Sequence, residues 1–327
     1  MPELRKDPVT SRWVIIRSES PQLEFQNEPN LKTSRVCPFC PGNESMTPPE
    51  ISSVENKTPS KQSRWQVRVV PNKFPALRIE GTTEKTTKGI YDRVGGFGAH
   101  EVIIENPDHG SELADLPAER VEDVLKMYRD RCLDLRRDPR FRYILIFKNY
   151  GASAGASLEH PHSQLIGLPI VPSRVLHELK GAQHHFDQTK RCLFCDLLNQ
   201  EKSEKKLTVF SEGDFIALAP FAARFPFETW VLPKTHAASF DSLTDAQIKD
   251  LAKTLKTTLL KLKKALKDPS YNFMVHTLPI QGEHSESFHW HIEIIPQLTQ
   301  VAGFEMGTGF YLNPAPPEAA ASKLRDI

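Results

Sequence analysis

The chain has 327 residues, room for about two domains at the ~150 residues of a common domain. Hydrophobic residues make up 39% and charged residues 25%, which argues against disordered, collagen-like and coiled-coil architectures. Lys plus Arg (42) nearly balance Asp plus Glu (41), so the formal charge of +1 offers no basic excess to a polyphosphate backbone, and nucleic acid is not an expected partner.

The chain opens MPELRKDPVT, without the apolar stretch of a secretory signal. The longest apolar runs, such as Tyr143 to Phe147, are far below the ~20 residues that cross a bilayer, so no membrane partner is expected. A cytoplasmic protein follows, and in that compartment paired cysteines read as metal ligands rather than disulfides.

Cys37-Pro-Phe-Cys40 comes first, its two-residue gap letting both sulfurs face one tetrahedral ion. A redox dithiol is the rival reading, but Pro38 and Pro41-Gly42 point to a turn. Next come His109 in ENPDHG and a stretch with the apolar spacing of an amphipathic helix. Cys132 falls on its apolar face with Val121, Val124, Leu125, Tyr128 and Leu135 and reads as a small buried residue without chemistry. A strand (YILIFKN), a loop of small residues (GASAGAS, 151–157) and a strand carrying His160-Pro-His162 follow.

The order then repeats. Past a polar segment whose His177, His184 and His185 read as solvated surface residues come Cys192-Leu-Phe-Cys195, His236, a helix, the strand YNFMVHT and His289-Trp-His291. His109 precedes His160 by 51 residues and His236 precedes His289 by 53. The segments after the single histidines align without a gap, pairing Leu113 with Phe240, Leu116 with Leu243 and Val121 with Ile248. These features predict a duplicated unit, with halves over 1–172 and 186–327. Each half is expected to hold a zinc ion, on Cys37, Cys40, His109 and His160 in the first and on Cys192, Cys195, His236 and His289 in the second.

Residues two apart in a strand share a face at a spacing of about 6.5 Å. Giving His160 to zinc therefore leaves His162 at the same site as a nucleophile or base. Pro161 cannot donate a ladder hydrogen bond, which predicts a sheet edge or strand start open to substrate. A neutral imidazole suits attack on a phosphoryl group. Gln164, on the same face, supplies a donor for phosphoryl oxygens, and GASAGAS lets backbone N–H groups approach phosphates.

The run FKNYGASAGASLEHPHSQ, with CPFCPGN, PNKFPAL and ENPDHG, resembles the galactose-1-phosphate uridylyltransferase family of the histidine-triad superfamily, over almost the whole chain. The resemblance implies an α+β fold of two fused histidine-triad-like halves sharing an antiparallel sheet, and a homodimer. It implies ping-pong nucleotidyl transfer between a nucleotide sugar and a sugar 1-phosphate through a nucleotidyl-His162 intermediate. Gln164 would serve the phosphoryl group, Asn149 and Ser157 the nucleotide phosphates, Asn72 the ribose and base, and Glu305, near the C-terminus, the sugar in the partner subunit.

Two ligand sets compete for the second metal. One branch of the family uses a Glu and three His, here Glu178, His276, His289 and His291, and iron is the alternative ion there. A branch resembling ADP-glucose phosphorylase uses the Cys pair with His236 and His289. We favour the Cys set for the affinity of thiolate for zinc, which leaves Glu178 as a helix-surface residue. Glu293 stands where the first half has Gln164 and cannot donate, so the second half is expected to be structural. The stretch RWVIIRSESPQLEFQNEP lacks the basic residues that relatives use to clasp phosphates, and GFEMGTGFYLNP leans toward the phosphorylase-like branch. The alternatives are an ADP-glucose phosphorylase-like enzyme with inorganic phosphate as acceptor, and a non-catalytic zinc-bound nucleotide-binding protein.

Overall fold

A computed structural model describes residues 2–17, 36–60 and 63–327; of the base-poor stretch RWVIIRSESPQLEFQNEP, the part from residue 18 onward lies outside the described residues. The first half contributes β1 (Glu3–Lys6), β2 (Trp13–Ile16), β3 (Ser52–Ser60), β4 (Ser63–Pro71), the hairpin β5 (Lys85–Lys88) and β6 (Tyr91–Val94), then β7 (Ala99–Ile104), α1 (Ala118–Leu135), β8 (Tyr143–Tyr150) and β9 (His162–Leu168). After α2 (Ser173–Thr189) and α3 (Leu193–Glu204) come β10 (Thr208–Glu212), β11 (Phe215–Leu218), β12 (Thr229–Pro233), α4 (Asp245–Leu266), β13 (Tyr271–His276) and β14 (His291–Pro296). The chain ends in α5 (Gly303–Thr308), β15 (Tyr311–Asn313) and α6 (Pro317–Arg325).

Ten strands form one antiparallel sheet in the order β10-β11-β12-β14-β13-β8-β9-β7-β4-β3. Read inward from either edge, each half presents its strands in the same sequence, and the halves meet where β8 pairs with β13, Asn149 opposite Asn272 and Phe147 opposite Met274. The two halves thus share one antiparallel sheet, as expected. The apolar spacing that predicted the two helices is what docks them. Val121, Val124, Leu125 and Tyr128 of α1 and Ile248, Leu251, Leu255 and Leu259 of α4 enter one continuous core against a single face of the sheet. The aligned Leu113, Leu116, Phe240 and Leu243 are buried in that core, as is Cys132. Truncating one such leucine to Ala costs roughly 2–5 kcal/mol. A capping box at Thr244 and Gln247 starts α4.

The other face carries the cysteine–histidine clusters and His162. Two features of the connectivity are not apparent from the repeat. The strand β2 pairs in parallel with β15, Val14 opposite Tyr311, and Val14 and Ile16 pack with Ala222, so the N-terminal hairpin rests on the second half. The helix α2 runs through position 186. No helix among the described residues is long and apolar enough to cross a membrane.

Candidate active site and metal centres

The first cysteine pair lies in a turn, Cys40 N–H donating to Cys37 C=O at 3.3 Å, which brings both sulfurs to one side. The ligand atoms of Cys37, Cys40, His109 and His160 all lie within 4.8 Å of one another. Cys40 Sγ is 3.3 Å from His109 Nδ1 and 3.6 Å from His160 Nδ1. Zn–S of about 2.3 Å and Zn–N of about 2.05 Å at tetrahedral angles require S···N near 3.6 Å, so the donor set fits zinc. The tautomer fits as well: His160 Nε2 donates to the Asn106 carbonyl (2.8 Å), which leaves Nδ1 with its lone pair toward the sulfurs. The second group repeats the arrangement. Cys195 Sγ lies 3.6 Å from His236 Nδ1 and 3.7 Å from His289 Nδ1, while the two Nε2 atoms donate to the carbonyls of Ser285 and Pro233.

His162 opens β9, whereas His160 sits in the bend before it. Pro161 therefore marks a strand start, and the expectation of an open sheet edge is corrected: β9 lies between β8 and β7 deep in the sheet. Access runs along a cleft at the end of the strand, lined by His162, Asn149, Gly151, Ala152 and Ser157. The His162 Nδ1 atom is 2.8 Å from the His160 carbonyl, which accepts only, so Nδ1 carries the proton and Nε2 keeps its lone pair. Burial holds the ring below the ordinary histidine value, with nearby Lys148 acting in the same direction, and keeps it neutral.

Behind β9, on the helix-covered face, Lys148 pairs with Glu105 (2.6 Å) and Glu112 (2.9 Å) and reaches the His162 carbonyl at 3.4 Å. Ser163 and Tyr128 hydrogen-bond to the other oxygen of Glu105. This network was not anticipated from sequence, where Lys148 read as one residue of an ordinary strand. Its signal was a lysine in a run of apolar residues.

Asn149 faces the cleft with its polarity set by Asn272, whose amide donates to Asn149 Oδ1 (2.8 Å) and to the Ala154 carbonyl (2.8 Å). A residue of the second half thereby pins the GASAGAS loop, a role the sequence did not reveal. Ser157 is exposed at the mouth of the same cleft. Asn72 and Gln164 come together at the end of β4, Asn72 Nδ2 lying 3.4 Å from Gln164 Oε1. His100, which sequence reading passed over, lies against both. Glu305 is not among the residues lining the His162 cleft; its carboxylate caps α5 at Ala302 N–H (3.0 Å).

In the second half the equivalent imidazole is boxed in. His291 is stacked on His276 (4.8 Å, 11°) and touched by Phe194 and Trp230. The reading of Glu178 as a surface residue is corrected: it is 2% exposed and bonds His276 Nδ1 at 2.8 Å. One face of α2 is buried over two turns, and Glu178 lies on it with Val175, Leu179 and Ala182. Glu178, His276 and His291 form a third group separate from His289, which stays with the cysteines. Both His276 nitrogens face carboxylates, the second at 3.4 Å from Glu293. Although burial pulls its pKa down, Glu178 and Glu293 outweigh that and push it up to about 9. With a carboxylate on each imidazole nitrogen the group forms a buried ion-pair core, and the ligand atoms of Glu178, His276 and His291 also lie within 4.8 Å of one another. Glu293 is neutralised further by Arg224 (2.7 Å) and Arg174 (2.6 Å).

A duplicated sheet-and-helix unit thus carries a His-x-His imidazole lining a cleft in one copy and an enclosed one in the other. The sequence model for the N-terminal domain of galactose-1-phosphate uridyl transferase matches residues 3–172, and that for its C-terminal domain matches residues 178–326. An ADP-glucose phosphorylase of Arabidopsis thaliana is 40% identical over 341 residues, spanning 100% of this chain and 93% of its own. A galactose-1-phosphate uridylyltransferase of Thermotoga maritima is 31% identical over 335 residues, spanning 100% and 98%. The crystal structure of an Arabidopsis thaliana ADP-glucose phosphorylase with bound ADP-glucose superposes with a TM-score of 0.86 at 39% identity, covering 100% of this chain and 99% of that one. The chain belongs to the galactose-1-phosphate uridyl transferase family, and it is an enzyme of that transferase family.

Proposed function

We propose that the protein transfers a nucleotidyl group from a nucleotide sugar by a ping-pong route through His162. The observation that carries this is the fixed tautomer of His162, with Nδ1–H on the His160 carbonyl and Nε2 free in a cleft. In the first half-reaction Nε2 bonds to the α-phosphorus while the bond from that phosphorus to the bridging oxygen breaks, and the sugar 1-phosphate leaves with the electron pair. The His160 carbonyl meets the charge that develops on the ring. In the second half-reaction a phosphate oxygen of the acceptor attacks the same phosphorus and Nε2 departs. Gln164 donates to a phosphoryl oxygen, Asn149 and Ser157 contact nucleotide phosphates, Asn72 the ribose and base, and Glu305 the sugar in a partner subunit.

Zinc at Cys37, Cys40, His109 and His160 would fix His160, and so the carbonyl that orients His162; zinc at the second cysteine group would anchor α3. We assign the chemistry to the half spanning 1–172 and support to 186–327, in a cytoplasmic homodimer. Two acceptors are compatible with this site. Uridylyl exchange between sugar 1-phosphates follows the family; an adenylyl donor with inorganic phosphate as acceptor is favoured by the cysteine pair in both metal groups and by the 40% identity to the Arabidopsis thaliana phosphorylase. Incubation with UDP-glucose or ADP-glucose labelled at the α-phosphate, followed by peptide mapping, tests the nucleophile and the base together. Label on His162 is expected; full turnover by His162→Ala would overturn the reading. Chasing the labelled enzyme with galactose 1-phosphate or inorganic phosphate identifies the acceptor.

A further inference from the structure

The two ends of a glutamine amide have nearly the same shape, but only the NH2 end can stabilise a phosphoryl oxygen; the carbonyl end repels it. What fixes the amide of Gln164 is therefore a question about its neighbours. His100, half-buried on β7, receives the Ala76 backbone N–H at Nδ1 (3.1 Å). Its Nδ1 is thus the lone-pair nitrogen and Nε2 bears the proton. That Nε2 lies 2.8 Å from Gln164 Oε1. Asn72 is set in the same sense: its Oδ1 takes the Phe74 N–H (2.9 Å), and its amide nitrogen then lies 3.0 Å from His100 Nε2 and 3.4 Å from Gln164 Oε1, the one acceptor that these two N–H groups share.

We infer that His100 is a positioning residue that locks the polarity of the Gln164 amide, holding its oxygen inward so that its NH2 group faces the reacting phosphoryl group. The inference rests on the role proposed above for His162 and Gln164. The second half supplies an independent observation on the same pair of positions. Gln164 pairs with Val102 across β9 and β7, and Glu293 pairs with Trp230 across β14 and β12. His100, two residues before Val102, therefore corresponds to Glu228, two before Trp230. Glu228 and Glu293 are joined through Arg224, at 2.8 and 2.7 Å. In both halves this pair of positions is coupled; in the first the coupling leaves a donor facing outward, and in the second it neutralises two acids.

The test is a rapid-quench measurement of label transfer from α-phosphate-labelled nucleotide sugar to the full-length enzyme, for His100→Ala, His100→Gln, Gln164→Ala and the His100→Ala/Gln164→Ala pair. Losing an oriented donor outright costs about 10²- to 10³-fold. A freed amide still samples the right orientation, so His100→Ala should slow labelling about tenfold with sugar-nucleotide affinity within about twofold. His100→Gln, whose amide can donate to the same oxygen, should return the rate to within about threefold of the parent. In the Gln164→Ala background, His100→Ala should add less than about twofold, as expected if both act through one group. Multiplying effects, a His100→Gln variant as slow as His100→Ala, or an unimpaired His100→Ala each overturns the inference. If His100→Ala does not fold, His100→Leu takes its place. Parent-like labelling by Gln164→Ala would overturn the site reading itself and this inference with it.

Discussion

Lys148 and Glu105 are both withdrawn from solvent and sit 2.6 Å apart, Nζ to Oε2, behind the strand that carries His162. Removing one partner of such a pair strands the other charge in a low-dielectric interior, at a cost of about 3–5 kcal/mol. Lys148→Met should lower the unfolding free energy by that amount in a urea titration. The triple variant Lys148→Met/Glu105→Gln/Glu112→Gln should recover part of the loss, because neither carboxylate that Lys148 pairs with is then left as a lone charge. Equal stability of Lys148→Met and the parent would contradict a paired core.

The metal groups predict a stoichiometry. Two zinc ions per chain are expected by elemental analysis, and Cys37→Ser and Cys192→Ser should each lose one. Structural zinc binding is worth on the order of 10 kcal/mol, so each variant, and chelator-treated parent, should unfold at markedly lower denaturant. Retention of two ions and parental stability in Cys37→Ser would count against the Cys37, Cys40, His109, His160 assignment.

Gly151 begins the loop that lines the cleft, with φ +80° and with a Cβ position 2.1 Å from Ser270 Oγ. Gly151→Ala therefore meets both a backbone penalty and a clash, together about 1–3 kcal/mol. Turnover should fall more than global stability, since the displaced segment carries Ser157 and adjoins Asn149. Pairing it with Ser270→Gly should relieve the clash and leave the φ penalty, a partial recovery that thermal melts and steady-state rates can both read.

The His276 cluster sets a pH dependence. Its folded pKa, about 9, lies above the ordinary 6.5, so the stability it contributes is complete below about pH 6.5 and is lost as pH rises through about 9. Melting temperature should fall across that window more steeply in the parent than in His276→Gln. Parallel curves would show that Glu178 and Glu293 do not hold a charged imidazole.

Much of the architecture could be read in the residues because the repeat is written in chemistry. The Cys-x-x-Cys pairs, the lone histidines and the His-x-His strands recur at matching intervals, and apolar spacing marks α1 and α4. Those patterns report local geometry and ligand number. They do not report which side of α2 is buried, and so Glu178 looked like a surface residue. Nor do they report strand order, and so the strand start at Pro161 suggested an edge although β9 is flanked on both sides. Lys148, His100 and Asn272 escaped notice for a related reason: each acts across strands, on a partner distant in sequence that only the assembled sheet supplies.

The seam between β8 and β13 has a consequence for the chain as a genetic object. A unit cut after residue 172 would leave β8 as a bare edge with an unpaired row of N–H and C=O groups, a template for another strand. Its natural complement would be an identical copy, related by a two-fold axis through the seam. Such a symmetric pair must carry the same residue at both mouths. Joining the two copies in one polypeptide removes that obligation, and it is what permits a glutamine at position 164 while its counterpart at 293 is a glutamate committed to arginines.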